Sequence, residues 1–460
     1  MKRLYIFIGL LFSLTSCNDW LDVELDNKVD DDKLFNTAEG FKEALAGVYS
    51  SMSKSSMYGG RLTMEYVDVL AQYYNSNSTY EYWEDYDYEN SGCRSIISGM
   101  WNNLYSCISQ ANCILEWADK NAGVLSESDR NQIRGEALAL RAFLHFDLYR
   151  LFAPDVKWAQ NAEGIPYNKE FGVSLPPMYS TKEVVQLVIN DLLEAEKCLQ
   201  NDPIQNVVPY MIRTSTSAGD VVDKAAKDEM DKYVARVNLY SVKAMLARAY
   251  QARGEYVAAV SKAKEVIDSG KFRLLEATSI DQSENMVDLL FSDEHIFSLR
   301  NKELSTYTKS IFKETSGGTT ALRMEGSYNL YDGNQDDFRY SKWYVDFIKY
   351  VPDSNSIFTT KVPLIKLSEM YLLIAECTYD TDPDEARRYV NMLRRHRIRG
   401  NQEGAGDWMY LSREDIFKEM RREYIGEGQM WFAHKRNRLN LSGGLTGTIE
   451  ASDDIFVFPL

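Results

Sequence analysis

The chain has 460 residues, and its 68 acidic against 52 basic side chains give a formal net charge of −16. An acidic field of that size repels phosphate backbones, so nucleic acid is excluded as a partner. The length allows two or three average domains or one large helical one, and either is ample for a packed core.

At the start of the chain Lys2 and Arg3 precede a short apolar run from Leu4 to Leu14, the layout of an export signal. The run is too short to span a bilayer as a helix, which takes about 20 residues. Leu14-Thr15-Ser16-Cys17 sets small residues before a cysteine, as in the lipobox where bacterial lipoproteins are cut and acylated. Residues 1–16 are therefore read as a signal peptide and Cys17 as the lipidated residue. Two or more acyl chains would hold the protein to a membrane while its folded part stays in water. No later stretch reaches spanning length, since the apolar segment from Met370 to Ala375 is bounded by Glu369 and Glu376. Apart from Cys17, the cysteines are Cys93, Cys107, Cys113, Cys198 and Cys377. Their odd number argues against a complete disulfide framework and for small, buried side chains.

Asn18 to Lys33 is acidic and reads as a tether or a first surface segment. Helical spacing then dominates. Phe41, Ala44, Leu45 and Val48 mark a helix over Ala38 to Tyr49, and Trp101, Leu104, Tyr105, Ile108, Ala111 and Leu115 mark another over Ser98 to Trp117. Arg134 to Phe152 is apolar nearly all round, which predicts burial between neighbours. A loop with Pro and Gly follows to Pro177, and Ser180 with Glu183 forms a capping-box signal for a helix through Leu199.

From Tyr233 to Phe272, the spacing of Leu246, Ala247, Tyr250, Gly254, Tyr256, Ala259 and Ala263 predicts a tetratricopeptide-like helix-turn-helix with Gly254 at the turn. Thr278 to Thr360, rich in Ser, Gly, Asp and Tyr, is predicted as loops with short strands. A second helix pair covers Leu364 to Cys377 and Pro383 to His396, with Asp382 as cap and Glu385 closing the box. A last helix runs from Ser412 to about Trp431. The acidic triplet Asp380, Asp382 and Asp384 imitates a calcium loop, but Glu385 stands at its glycine position and Asn391 at its twelfth, so a helix cap explains it better.

Several segments together resemble the SusD/RagB family of outer-membrane nutrient-binding lipoproteins. They are Cys17-Asn18-Asp19-Trp20-Leu21-Asp22-Val23, the early helix around Trp101, Tyr105, Ile108, Ala111 and Asn112, and the block from Arg134 to Phe143. They continue with Lys366 to Glu376, with Asn391-Met392-Leu393-Arg394, and with Arg421 to Gly428 followed by Trp431. The blocks keep the family's order over nearly the whole chain, with Gln429 and Ala433 departing from the closing motif.

The resemblance implies a mainly α fold: a tetratricopeptide-like α-α superhelix carrying a loop-rich ligand-binding face and a few short strands. Residues 17–230 would form an N-terminal region and 231–460 a C-terminal region with the helix pairs, in one intertwined fold. It further implies capture of an oligosaccharide, or in a minority branch a peptide, and delivery to a SusC-like TonB-dependent transporter. The protein would be lipid-anchored in the outer membrane and face the cell exterior.

Sugar rings present flat C–H faces, so a glycan site needs aromatic platforms with amide, carboxylate or guanidinium groups around them. Composition offers one dense candidate, in which Tyr73, Tyr74, Tyr80, Tyr82, Trp83 and Tyr86 are interleaved with Asn75, Asn77, Glu81, Glu84 and Asp85. A second groups Tyr328, Tyr331 and Trp343 near Asn329, Asn334 and Arg339. The first is expected to be exposed, and replacing Trp83 is expected to abolish capture without unfolding the protein. In the second, Asp336, Asp337 and Arg339 resemble a recurrent structural stretch of the family, which implies packing or ion pairing there more than binding. No Gly-x-Ser-x-Gly elbow, HExxH helix, Walker loop or Rossmann fingerprint occurs, and His145, His295, His396 and His434 are isolated in sequence, so no catalysis, cofactor or metal is expected. A pure protein-interaction scaffold is the remaining alternative.

Overall fold

The structure is a computed structural model that describes residues 31–172, 176–208, 213–216, 219–221, 224–276, 288–313, 320–324, 330–340, 343, 349–350, 360–401, 403–443 and 447–459. The signal segment, Cys17 and Tyr328 lie outside them.

The described part is mainly α-helical. Helix α1 (Ala38–Met52) is capped by Thr37, whose hydroxyl accepts from Gly40 N at 3.1 Å. A short helix α2 (Tyr66–Leu70) and a single turn α3 (Glu81–Glu84) lead into α4 (Ser91–Lys120), a 30-residue helix. Its buried positions, Cys93, Ile97, Met100, Leu104, Ile108, Ala111, Ile114 and Leu115 among them, recur at three and four residues and so form one stripe. The helix read from Ser98 to Trp117 thus begins about two turns earlier, at Ser91, and ends just beyond it, at Lys120.

Helix α5 (Glu127–Phe152) is buried on all sides over its second half, as its near-continuous apolar sequence requires. The polar residues embedded in it each have a partner. Glu136 accepts from Tyr49 Oη at 2.7 Å, Asp147 accepts from Tyr58 Oη at 2.7 Å, and Arg141 grips Asp191 with two bonds of 2.7 and 2.9 Å. Asp191 lies on α6 (Thr181–Cys198), which opens on the full Ser180–Glu183 capping box.

Next come α7 (Lys224–Val234), α8 (Leu239–Arg253) and α9 (Tyr256–Asp268). Gly254 turns α8 into α9 at φ 76°, a left-handed conformation that costs glycine little. After α10 (Leu304–Phe312) come α11 (Leu367–Thr378) and α12 (Pro383–Arg397), joined by a short turn. Asp382 caps α12 by accepting from Glu385 N at 3.0 Å, while the Glu385 carboxylate lies 2.6 Å from Lys264. Packing passes from α4 to α5, then to α6, α8, α9, α11 and α12, so that helix pairs stack side by side.

The strands are short and form two-stranded antiparallel pieces: β1 (Tyr74–Ser76) with β7 (Leu322–Met324), β2 (Glu163–Pro166) with β3 (Met178–Ser180), β4 (Arg213–Thr216) with β5 (Gly219–Val221), β6 (His295–Arg300) with β8 (Lys361–Lys366), and β9 (Leu441–Gly443) with β10 (Gly447–Ile449). The region expected to be mostly loops with short strands also contains α10. Lys361–Lys366, whose last residues were read as helical, is a fully buried strand that runs directly into α11.

The closing helix departs from expectation. Instead of one helix from Ser412 to Trp431 there are two, α13 (Arg413–Glu423) and α14 (Met430–Asn437). Gly426 and Gly428 take φ values of 78° and 67° between them, and Asp68 on α2 accepts from both of their N–H groups, at 2.6 and 3.0 Å. Left-handed glycines and the capture of their donors by a distant carboxylate break the helix where periodicity alone continues it.

Among the described residues no helix is long and apolar enough to cross a membrane. Cys93, Cys107 and Cys377 are buried, Cys113 and Cys198 are half-buried, and all five are free thiols.

Candidate functional site

The two aromatic candidates, far apart in sequence, meet in space. Strand β1 pairs with β7 in the register Tyr74 to Met324, Asn75 to Arg323 and Ser76 to Leu322, and Asn77 N donates to Ala321 O at 3.0 Å. Both segments also fasten to α13: Tyr73 Oη donates to Arg421 O at 2.7 Å and Tyr331 Oη to Arg422 O at 3.3 Å.

The expected exposure, however, is found at only one of the described candidate aromatics. Tyr82 is 46% exposed, whereas Tyr73, Tyr74, Tyr80, Trp83, Tyr86, Tyr331 and Trp343 are all buried. The reason is the same throughout the tyrosines, since each hydroxyl finds a partner inside, and each buried ring finds an apolar or cationic neighbour. Tyr80 Oη donates to Glu65 at 2.9 Å, and Tyr86 Oη donates to Leu70 O at 2.7 Å while accepting from Gln72 at 3.1 Å. Tyr74 packs on Phe312 with ring centres 5.5 Å apart. Trp83 lies among Tyr66, Tyr88 and Phe458, at 4.5, 6.2 and 5.9 Å. Trp343 donates to Leu289 O at 2.9 Å, stacks on Phe291 at 4.4 Å and carries the Lys349 ammonium 4.0 Å from its ring centre. These rings glue the loop face to the scaffold, and a variant at Trp83 would test folding instead of capture.

The outer edge of the same segment remains polar and open. Asn77, Ser78, Thr79, Glu81, Asp85 and Asp87 are exposed beside Tyr82, Asn75 and Ser76 are half-buried, and Arg323 is exposed on the paired strand. Internal hydrogen bonds fix the backbone of this edge: Ser76 N donates to Glu84 Oε1 at 3.0 Å, Thr79 N to Asn77 Oδ1 at 3.0 Å, and Asp87 N to Tyr82 O at 2.8 Å. One accessible ring with amides, carboxylates and a guanidinium on a pinned edge can stack on a sugar face and bond its hydroxyls. Below it, burial pushes the Glu65 carboxyl up, opposed by hydrogen bonds from Tyr307 and Tyr80. It is held under the edge as a packing element.

Three exposed aromatics escaped the sequence reading, Phe171 at 41% among them. Tyr410 is 89% exposed on the loop before α13, and Trp158 is 46% exposed with its indole N–H donating to Arg436 O at 2.9 Å. All three sit in turn or loop segments away from dense aromatic clusters, so composition gave them no weight. Among the described residues no group of three or more His, Cys, Asp or Glu is placed to hold a metal ion.

A helical scaffold of stacked pairs beneath a polar, aromatic-backed edge defines a ligand-binding class of protein. Residues 19–219 match a SusD-like family described as starch-binding associating with the outer membrane, and residues 298–451 match the SusD family itself. The chain belongs to the SusD family. Among its curated relatives, one SusD-like protein of Formosa agariphila is 30% identical over 43% of this chain, and another is 27% identical over 50%. Those matches span 38% and 45% of the relatives' own lengths, less than half in each case. A solved SusD superfamily protein from Bacteroides thetaiotaomicron superimposes with a TM-score of 0.70 at 21% identity, covering 91% of this chain and 96% of that one. A putative sugar binding protein from Bacteroides vulgatus superimposes with a TM-score of 0.67 at 24% identity, covering 92% and 90%.

Proposed function

We propose that the protein captures an oligosaccharide at the bacterial surface and passes it, uncleaved, to a SusC-like TonB-dependent transporter. Cys17 is its lipid anchor in the outer membrane. The observation that carries the reading is the exposed Tyr82 ring on a polar edge whose backbone is fixed from within. Family membership supports it, through the starch-binding description of the N-terminal match and the sugar-binding description of a structural relative. The shape of the work follows from these parts: the scaffold presents a stacking surface, the amides and carboxylates of the edge take hydroxyl hydrogen bonds, and release needs no covalent step.

The test is binding of the purified protein to a broad glycan panel beside a peptide library, with the Tyr82→Ala variant in parallel. Saturable glycan binding without product release, weakened in the variant, supports the reading. Peptide binding alone would replace the ligand class, and hydrolysed glycan would overturn the non-catalytic role.

A further inference from the structure

Between α1, α5 and the end of α7 lies a cavity of about 370 Å³. It falls within the range of about 300–1,000 Å³ typical of small-ligand sites. Helices α1 and α5 form its walls and the end of α7 its rim, with Leu45, Ala46 and Ile133 giving an apolar lining.

Its charge runs against that of the whole chain. Lys42, Lys232, Arg236 and Arg300 line it, against two carboxylates, Asp129 and Glu136, in a protein of net charge −16. The deeper carboxylate is already committed: Glu136 is 2% exposed and accepts from Tyr49 Oη at 2.7 Å and Gln132 Nε2 at 2.9 Å, with Arg236 Nη1 3.4 Å away. Tyr49 Oη is committed too, since it also accepts from Val237 N at 2.9 Å. Lys42 is 3.8 Å from Asp129, Lys232 pairs with Glu229 at 2.7 Å, and Arg300 donates to Asp231 O at 3.3 Å. Those contacts leave further donors on Lys42, Arg236 and Arg300, because an ammonium carries three N–H groups and a guanidinium five.

We propose that this cavity binds a small organic carboxylate carried on a compact apolar or sugar frame. The cations at the rim supply attraction and a guanidinium supplies the fork geometry that carboxylates match, while the apolar walls take the body of the ligand. The site does not involve Tyr82 or the edge around it, so its test is independent of the capture reading.

Calorimetric titration of the purified chain with sodium glucuronate, its neutral methyl ester and inorganic phosphate tests the proposal. Saturable glucuronate binding is expected, weaker by about tenfold or more for the ester and for phosphate. Two variants probe the place. Ala46→Trp narrows the mouth from an exposed helix position, and the double change Lys232→Glu with Arg300→Glu reverses rim charge at side chains outside the buried core. Each should weaken glucuronate by about tenfold while the melting temperature holds. Absence of saturable binding by glucuronate, galacturonate and benzoate alike would overturn the proposal. So would equal binding of ester or phosphate, or binding that both folded variants retain.

Discussion

Asp68 and Gly426, 358 positions apart, are joined by a 2.6 Å hydrogen bond from the glycine N–H to the carboxylate, and Gly428 N adds a second at 3.0 Å. The pair ties α2, which precedes the aromatic segment, to the turn between the last two long helices. Burial pushes the Asp68 carboxyl up, opposed by the two backbone donors. Asp68→Ala leaves both N–H groups buried without an acceptor, a loss of about 2–4 kcal/mol at one or more kcal/mol per orphaned donor. Asp68→Asn keeps one acceptor oxygen and should recover part of it. Urea unfolding of the two variants measures this, and equal midpoints for wild type and Asp68→Ala would contradict it.

Gly428 gives an orthogonal check on the same turn. A Cβ there would lie 2.5 Å from Leu62 O, and the backbone sits at φ 67°. Gly254, at φ 76°, has open space around its would-be Cβ. Gly254→Ala should therefore cost only the left-handed backbone term, about 1–2 kcal/mol. Gly428→Ala should cost more, because backbone must also move. A thermal melt that ranks the two in the opposite order would refute the steric argument.

The fold was largely legible in the sequence because helix stripes, caps and the Gly254 turn are local signals. Ser180 forms the box its spacing predicts, with Glu183 as reciprocal partner, and Ser412 opens the closing helix with a box to Asp415. What was illegible depended on distant partners. Nothing near Gly426 announces that Asp68 will hold it, and nothing near Trp83 announces Phe458. The site suffered most from this. A run of tyrosines interleaved with acids reads as an exposed surface, yet buried hydroxyl acceptors such as Glu65 and the Arg421 carbonyl draw most of the rings inward.

Tyr82 and Trp83, adjacent in sequence, should accordingly behave as opposites. Trp83→Ala removes a ring buried at 2% exposure and should cost about 3–5 kcal/mol of stability. Tyr82→Ala touches a ring 46% exposed, so the melting temperature should hold while affinity for a bound glycan falls by about tenfold. Melting curves and binding isotherms on both variants decide it. Loss of stability in Tyr82→Ala, or unchanged affinity, would remove Tyr82 from the candidate site.

Acid should unfold the protein through two groups in sequence. His145 is fully buried with Nε2 accepting from Asn168 N at 3.0 Å, which leaves Nδ1–H to donate to Arg141 O at 2.8 Å, so the ring is neutral. Burial first, with Arg141 and Lys169 adding to it, holds its pKa down to about 3 from 6.5. Glu419 lies in a buried network, 2.6 Å from Arg339, 3.1 Å from Arg422 and 3.5 Å from Arg394. Burial alone would raise that carboxyl, but the three guanidiniums outweigh it and bring the pKa from 4.5 to about 2. Both folded values lie below the unfolded ones, so the unfolded chain binds more protons in between and stability falls as the pH falls. The His145 contribution is complete above pH 6.5 and declines toward 3, and that of Glu419 is complete above 4.5 and declines toward 2. The Glu419 shift corresponds to roughly 3 kcal/mol. Glu419→Gln should be destabilised by about 3–5 kcal/mol at pH 7, because it strips the counter-charge from buried guanidiniums. It should also lose less further stability than wild type on going from pH 4.5 to pH 3. Urea midpoints across that range test both halves, and parallel acid limbs in the two proteins would show that Glu419 does not carry the effect.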